Sequence, residues 1–220
     1  MTKKDYLAKS AVYNLGFYKL VWIFAACCVV GFVVETLWCY FRHGYIESRK
    51  SLVWGPLSVA YGMGGVLLTL VLYHFKDAPV WKVFLVSFVV GTVAEYICSL
   101  GQEIVFHSVA WDYSNRFLNI NGRVCLLYSL FWGALGVMWV KLVLPITELA
   151  LSKIPDSVSH VLVLMFTVFF VIDCVVSASA ALRMDRRDAG VAPRNKIEEA
   201  LDEHFPDEKM HEIYANSKGV

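Results

Sequence analysis

Five runs of apolar residues dominate this chain: Phe17 to Tyr40, Leu52 to Phe75, Pro79 to Phe106, Val124 to Ile146 and Val158 to Leu182. A bilayer core of about 30 Å takes about 20 residues of helix to cross. Lipid offers no hydrogen bonds to an open backbone, so runs of this length must span as helices. The expected fold class is an all-α polytopic membrane protein with about five transmembrane helices. Residues 1–16 read as a polar N-terminal segment, 17–182 as the transmembrane domain and 183–220 as a polar tail. In that tail Ile197, Leu201, Phe205, Met210 and Ile213 approximate one helix face, interrupted at Pro206. The tail is expected to be loosely ordered, with a short interfacial or partner-binding helix as the alternative. The first run is too long for a signal-peptide core and lacks a small-x-small cleavage site, so it is expected to remain.

Charge sets the orientation of such a chain, not its fold. The net charge is +1, which provides no field for nucleic acid, so the expected surroundings are the lipid bilayer of a cell membrane. With five crossings the N-terminal side holds eight basic residues, Lys3, Lys4, Lys9, Lys19, Lys76, Lys82, Lys141 and Lys153. The opposite side holds ten, Arg42, Arg49, Lys50, Arg116, Arg123, Arg183, Arg186, Arg187, Arg194 and Lys196, too close a count to decide. The cluster Arg183, Arg186 and Arg187 directly after the last run favours a cytoplasmic C-terminus. Cys27, Cys28, Cys39, Cys98, Cys125 and Cys174 fall in or beside apolar runs without CxxC spacing. They read as packing residues, and no metal site is expected.

Two matches recur in the same order along the chain. Gly31-Phe-Val-Val-Glu35 resembles Gly91-Thr-Val-Ala-Glu95, and Ser51-Leu-Val-Trp54-Gly55-Pro-Leu57 resembles Ser129-Leu-Phe-Trp132-Gly133-Ala-Leu135. These suggest two tandem helical hairpins of the same orientation, repeat 1 over about 17–75 and repeat 2 over about 79–146, followed by an extra helix at 158–182. Chance similarity between apolar segments is the alternative.

Glu35, Glu95 and Asp173 lie inside apolar runs, where an ionisable side chain is costly unless it is paired or faces water. Counted from where each helix begins, all three lie roughly 22 to 27 Å along it. Helices one, three and five run in the same direction, so the carboxylates share a depth and can converge on one site. Glu95, Ser99, Gln102 and Glu103 form a polar strip on the third helix. An acid held by Tyr hydroxyls, Trp indoles or backbone donors to fix packing, with Tyr61, Tyr96 and Tyr128 as candidates, is the alternative.

The loop between helices three and four carries Trp111-Asp112-Tyr113-Ser114 and then Asn119-Ile-Asn121-Gly122-Arg123-Val-Cys125. Asn121-Gly122 signals a turn that folds the loop against the bundle. Arg123 is placed to reach Glu95 or an anionic headgroup, its planar fork suiting either. An interfacial loop anchored by Trp111 and Tyr113 is the other reading. At Trp54-Gly55-Pro56 the second helix either begins at Pro56 or has a broken start that turns backbone groups toward a site. No P-loop pattern occurs, so the chain itself has no Walker-type ATP site.

These residues together resemble the ABC-transporter type IV, or CmpB-like, integral membrane proteins over about residues 20 to 187. The motifs are Glu35-Thr-Leu-Trp38, Trp54-Gly55-Pro56-Leu57 with Tyr61-Gly62, Glu95-Tyr96, the Trp111 and Asn119 stretches, Ser129-Leu-x-Trp132-Gly133, and Asp173 before the basic end. The resemblance implies a transporter permease, partnered by an ATP-binding subunit or a second copy, with no cofactor of its own. The candidate substrate-binding set is Glu35, Trp54, Glu95, Asp112, Tyr113, Asn119, Asn121, Arg123, Trp132 and Asp173. A transport component binding a cation or small polar solute is the leading expectation. An intramembrane enzyme acting on a lipid or lipid-linked substrate, with a Glu as general base and Arg123 on a phosphate, and a purely structural subunit are the alternatives.

Overall fold

The computed structural model describes residues 16–106 and 111–214. Three of the apolar runs become single helices that begin close to the expected residues: α1 (Phe17–His43), α3 (Val80–Phe106) and α6 (Asp156–Asp188). At 1.5 Å per residue each exceeds the 30 Å core, α6 reaching about 50 Å. Gly44 ends α1 with φ 78, its N–H donating to the Tyr40 carbonyl at 2.8 Å, a left-handed cap that residues with a Cβ adopt reluctantly. The fourth run forms α4 (Leu126–Met138), a π turn (Trp139–Val143) and α5 (Leu144–Leu151). Pro145 has no N–H to return to the Lys141 carbonyl, and the ladder adjusts one residue earlier, Leu144 N–H pairing with the Trp139 carbonyl.

The second run is shorter than expected. Helix α2 (Val59–Leu72) continues into a 3-10 turn (Tyr73–Phe75), about 25 Å in all, so among the described residues four helices have spanning length and a fifth apolar helix falls short of it. The helix starts neither at Leu52 nor at Pro56. Gly55 sits at φ 70 and Pro56 offers no donor, so the chain from Leu52 to Ser58 stays irregular. Four N–H groups from Ser51 to Ser58 are nevertheless paired. Ser51 N–H donates to Leu57 O at 2.8 Å, Val53 N–H to Ser177 Oγ at 2.9 Å, Trp54 N–H to Asp173 Oδ1 at 3.2 Å and Ser58 N–H to Cys28 O at 2.9 Å. Ser51 Oγ accepts from Val59 N–H and so caps α2. Non-helical backbone at membrane depth survives only when enclosed in this way.

Two compact units divide the chain, one of residues Leu67–Ile154 and one of Gly16–Val66 with the segment from Pro155 onward. In the first, α3 and α4 pack through glycines: a Cβ at Gly91 would meet the Trp132 ring at 2.4 Å, and one at Gly133 the Phe84 ring at 2.7 Å. Trp139 Nε1 donates to Thr69 Oγ1 at 3.1 Å, and Lys141 Nζ donates to the Lys76 and Ala78 carbonyls at 3.0 Å, closing the end of the 3-10 turn. In the second, a Cβ at Gly31 would meet the Tyr61 ring at 2.2 Å and one at Gly62 would meet Cys28 Sγ at 2.4 Å. Trp22 Nε1 donates to Ser159 Oγ at 2.9 Å, pinning α1 to α6. Small residues allow this close approach, the usual device where lipid offers no hydrophobic drive between helices. All six cysteines are free thiols, and Cys28, Cys39 and Cys125 are buried among packed side chains.

The tail departs from expectation, because it folds. Helices α7 (Lys196–His204) and α8 (Asp207–Ile213) return onto α6, with Phe205, Met210 and Ile213 joining Val53 and Ala180 in one apolar cluster. Asn195 caps α7, accepting from Ile197 and Glu198 N–H at 3.0 Å. The buried Arg183 guanidinium grips both Asp202 oxygens at 2.8 Å, and Arg187 pairs with Asp202 at 2.6 Å and Asp207 at 2.5 Å. The arginines read as orientation signals are thus also the clamp for the tail. Lys3, Lys4, Lys9 and the other residues of the N-terminal segment before Gly16 lie outside the described residues.

Candidate functional site

Glu95 projects from α3 into a ready-made cradle. Trp132 Nε1 donates to Oε2 at 3.0 Å and the Tyr113 hydroxyl donates to Oε1 at 3.2 Å. Tyr113 stacks on Tyr128 with centroids 4.6 Å apart and planes 19° apart. Burial, and then the Glu95 carboxylate, push the Tyr113 phenol well above its ordinary value, so it remains a donor. Glu95 is therefore held by a tyrosine hydroxyl and a tryptophan indole, but the tyrosine is Tyr113 and not the Tyr96 or Tyr128 named in the packing alternative.

The loop from Trp111 to Cys125 closes on itself. Asp112 Oδ1 accepts from the Ser114 hydroxyl at 2.5 Å and its N–H at 2.9 Å, contacts that hold the Asp112 carboxyl below its ordinary value. Asn119 Nδ2 donates to the Ser114 and Arg116 carbonyls at 3.0 and 2.9 Å, while its Oδ1 accepts from Gly122 N–H at 3.2 Å. Trp111 Nε1 donates to the Arg123 carbonyl at 2.8 Å, and Asn121 Nδ2 to the Tyr96 hydroxyl at 2.8 Å. Asn121 and Gly122 both adopt positive φ, 53 and 68, as the turn signal requires. Arg123 does not reach Glu95: it lies over the Tyr96 ring, 5.6 Å from the centroid, and pairs with Glu103. With Tyr113 and Trp132 on the two oxygens of Glu95, the half-exposed Glu103 is the acid left for the guanidinium. Ser99 of the polar strip is buried, and the Gln102 side chain lies outside the described residues.

Asp173 is fully buried in α6. Its Oδ1 accepts from Trp54 N–H and from Ser177 Oγ, each at 3.2 Å, while Oδ2 has no hydrogen-bond partner. Trp54 places its ring 6.5 Å from that of Phe205. Asp173 and Trp54 are thus brought together through the irregular start of the second run.

Glu35 stands in a different setting. It lines an open cleft of about 480 Å³ with Val34, Trp38, Arg42, His43, Arg49 and Tyr61. The Tyr61 ring that sits over Gly31 brings its hydroxyl within hydrogen-bonding reach of Glu35. A second cleft of about 320 Å³ shares Glu35 and Arg49 and adds Lys50, three serines, and Ile213 and Tyr214 from the tail. Arg49 pairs with Glu47 at 2.9 Å. Asp173 lines neither cleft. Among the described residues no three His, Cys, Asp or Glu side chains gather as a metal-holding group.

Arg42, His43, Arg49, Lys50 and Tyr61 were not among the sequence candidates for the site. A signal for one of them existed: Glu35, Trp38 and Arg42 fall at i, i+3 and i+7, one face of α1. Arg49 and Lys50 come to line a cleft with Glu35 through the irregular segment after α1, whose course no periodicity reports.

No curated protein and no solved structure matches the chain. The sequence profile of the family described as "Putative ABC-transporter type IV" matches residues 22–178, a stretch that holds Glu35, Glu95, the Trp111 loop and Asp173. The chain, a multi-pass helical membrane protein, therefore belongs to the "Putative ABC-transporter type IV" family.

Proposed function

We propose that the chain is the membrane component of a transporter and that Glu35 is the centre of its small-molecule site. One observation carries the reading: Glu35 borders open clefts, whereas both oxygens of Glu95 carry hydrogen bonds and Asp173 lines no cleft beside it. A carboxylate that is half-buried, solvent-reachable and surrounded by cations is arranged to exchange partners, which a solute site must do.

The glycine contacts support an internal duplication in a register different from that of the sequence matches. Gly31 under Tyr61 corresponds to Gly91 under Trp132, and Gly62 to Gly133, so Tyr61-Gly62 and not Trp54-Gly55 is the counterpart of Trp132-Gly133. In this reading Trp132 and Tyr113 close the acid of one copy, while the acid of the other keeps access to its cleft. The arginines after α6 support a cytoplasmic C-terminus. Because Tyr214 lines the smaller cleft, that orientation opens the site to the side where an ATP-binding subunit docks.

The test is purification of the full chain from native membranes in mild detergent, wild type beside Glu35→Gln. The expected result is an ATP-hydrolysing partner in both samples and a small molecule retained by wild type alone. A chain with no nucleotide-hydrolysing partner, or with retained molecules unchanged by Glu35→Gln, overturns the reading.

A further inference from the structure

The charges around Glu35 specify more than a polar solute. The two clefts that share Glu35 and Arg49 also expose Arg42, His43 and Lys50, so that Arg42, Arg49 and Lys50 set three permanent cations against one lining carboxylate. Arg49 is partly neutralised by Glu47 at 2.9 Å. Arg42, in the larger cleft, forms no ion pair among the described residues, and Lys50, in the smaller, has only the buried Asp173 carboxyl as an electrostatic neighbour, so Arg42 is the cation that faces a cleft uncompensated. Such a surface selects an anion, and a planar guanidinium beside an ammonium suits phosphate oxygens.

Hydroxyls and amides reinforce that choice. Ser48, Ser51 and Ser58 line the smaller cleft, and Ser48 Oγ is a buried atom without a hydrogen-bond partner. Ala60, in the first turn of the 14-residue α2, lines it as well. First-turn amides have no intrahelical acceptor and carry the positive end of the helix dipole. At the other end Glu35 and Tyr61 offer an acid and a hydroxyl, the complement of an ammonium group.

The neighbourhood places the cleft at a lipid boundary. Trp38 is 65% exposed, Phe41 78% and Ile46 74%, a wall of apolar side chains on the residues that flank the cleft. Aromatic residues beside cationic ones mark headgroup depth.

Resting on the transport reading of Glu35, we propose that the site binds a phosphate ester bearing an amine, with the phosphate on Arg42, Arg49 and Lys50 and the ammonium on Glu35. The chemistry is that of an aminoalkyl phosphate, whether it arrives as a lipid headgroup or as a free soluble ester.

The experiment uses the full chain in detergent and in nanodiscs. Calorimetry with O-phosphoethanolamine probes the soluble source; native mass spectrometry with phosphatidylethanolamine and with phosphatidylglycerol probes the lipid source. Arg42→Gln and Lys50→Gln, at exposed and half-exposed positions and checked for wild-type thermal unfolding, are expected to weaken every phosphate probe about tenfold or more. Glu35→Gln is expected to weaken the amine-bearing probes and to leave phosphatidylglycerol unchanged. Binding of phosphoethanolamine in solution assigns the soluble source, and binding of the lipid alone assigns the headgroup. Binding insensitive to both cation variants, or no binding of any probe, overturns the proposal. If a Glu35-dependent molecule and an ATP-hydrolysing partner are still retained when no phosphate probe binds, the ligand assignment fails and the transport reading stands. If the probes bind as expected but no such partner exists, the transport reading fails alone.

Discussion

Asp173 on α6 accepts the backbone N–H of Trp54 at 3.2 Å, across 119 residues of sequence. Ser177, one turn further along, takes the N–H of Val53 at 2.9 Å. These side chains do for the irregular segment what the next helical turn would otherwise do. Asp173→Ala leaves a buried donor unpaired and is expected to destabilise the protein by about 1–3 kcal/mol. Asp173→Asn keeps a carbonyl acceptor and is expected to lose less. Thermal unfolding in detergent distinguishes them, and equal losses would contradict the hydrogen-bond account.

The contact between α3 and α4 makes a second prediction. Gly91→Ala drives a methyl group into the Trp132 ring, whose nearest atom lies 2.4 Å from the added Cβ. Overpacking of this kind is expected to destabilise by about 1–3 kcal/mol and to loosen the Trp132 bond to Glu95. Gly64→Ala and Gly101→Ala meet nothing within 4 Å, and each is expected to stabilise by up to about 1 kcal/mol through helix propensity. Unfolding temperatures of the three variants provide the check.

The tail should respond to acid. The Arg183 guanidinium, as the largest cause, holds Asp202 below its ordinary value, and the Arg194 backbone N–H does the same for Glu198. A depressed folded-state value means that the docked tail is favoured above the ordinary carboxyl range, about pH 4. That stability is lost as pH falls from there through the lower folded-state values. Hydrogen exchange over 196–213 is expected to stay slow at neutral pH and to accelerate in that acidic window. Asp202→Asn should bring the acceleration to neutral pH, and a flat profile would refute the clamp.

Within the loop, backbone shape should outweigh charge. Gly122→Ala places a Cβ 2.6 Å from Asp112 Oδ1 and Ser114 Oγ at φ 68, and it is expected to destabilise by at least about 1–2 kcal/mol. Arg123→Lys exchanges one cation for another opposite a half-exposed Glu103 and is expected to change stability by about 0–1 kcal/mol. Protease sensitivity of 111–125 reads both. A larger loss from Arg123→Lys would mean that the guanidinium fork does more than pair with Glu103.

Chain order alone determined the helices α1, α3 and α6 and the membrane class, because the gain from placing apolar surface in lipid accumulates along a continuous run and needs no partner. It also marked the Asn121-Gly122 turn, whose left-handed backbone is a local property, and singled out Glu35, Glu95 and Asp173 as acids in apolar surroundings. Only the tertiary structure decided what each acid does. Glu95 depends on Tyr113 and Trp132, 18 and 37 residues away, and Asp173 on Trp54, 119 residues away. It likewise decided that the second run starts at Val59, since Asp173 and Ser177 satisfy the backbone that Gly55 and Pro56 break. The polar tail folds for a similar reason: Arg183 and Arg187, read as charges along a line, acquire carboxylate partners only when α7 and α8 turn back onto α6. Hydrogen bonds and ion pairs between distant residues have no period, so neither their partners nor the cleft left open beside Glu35 could be read before the helices were packed.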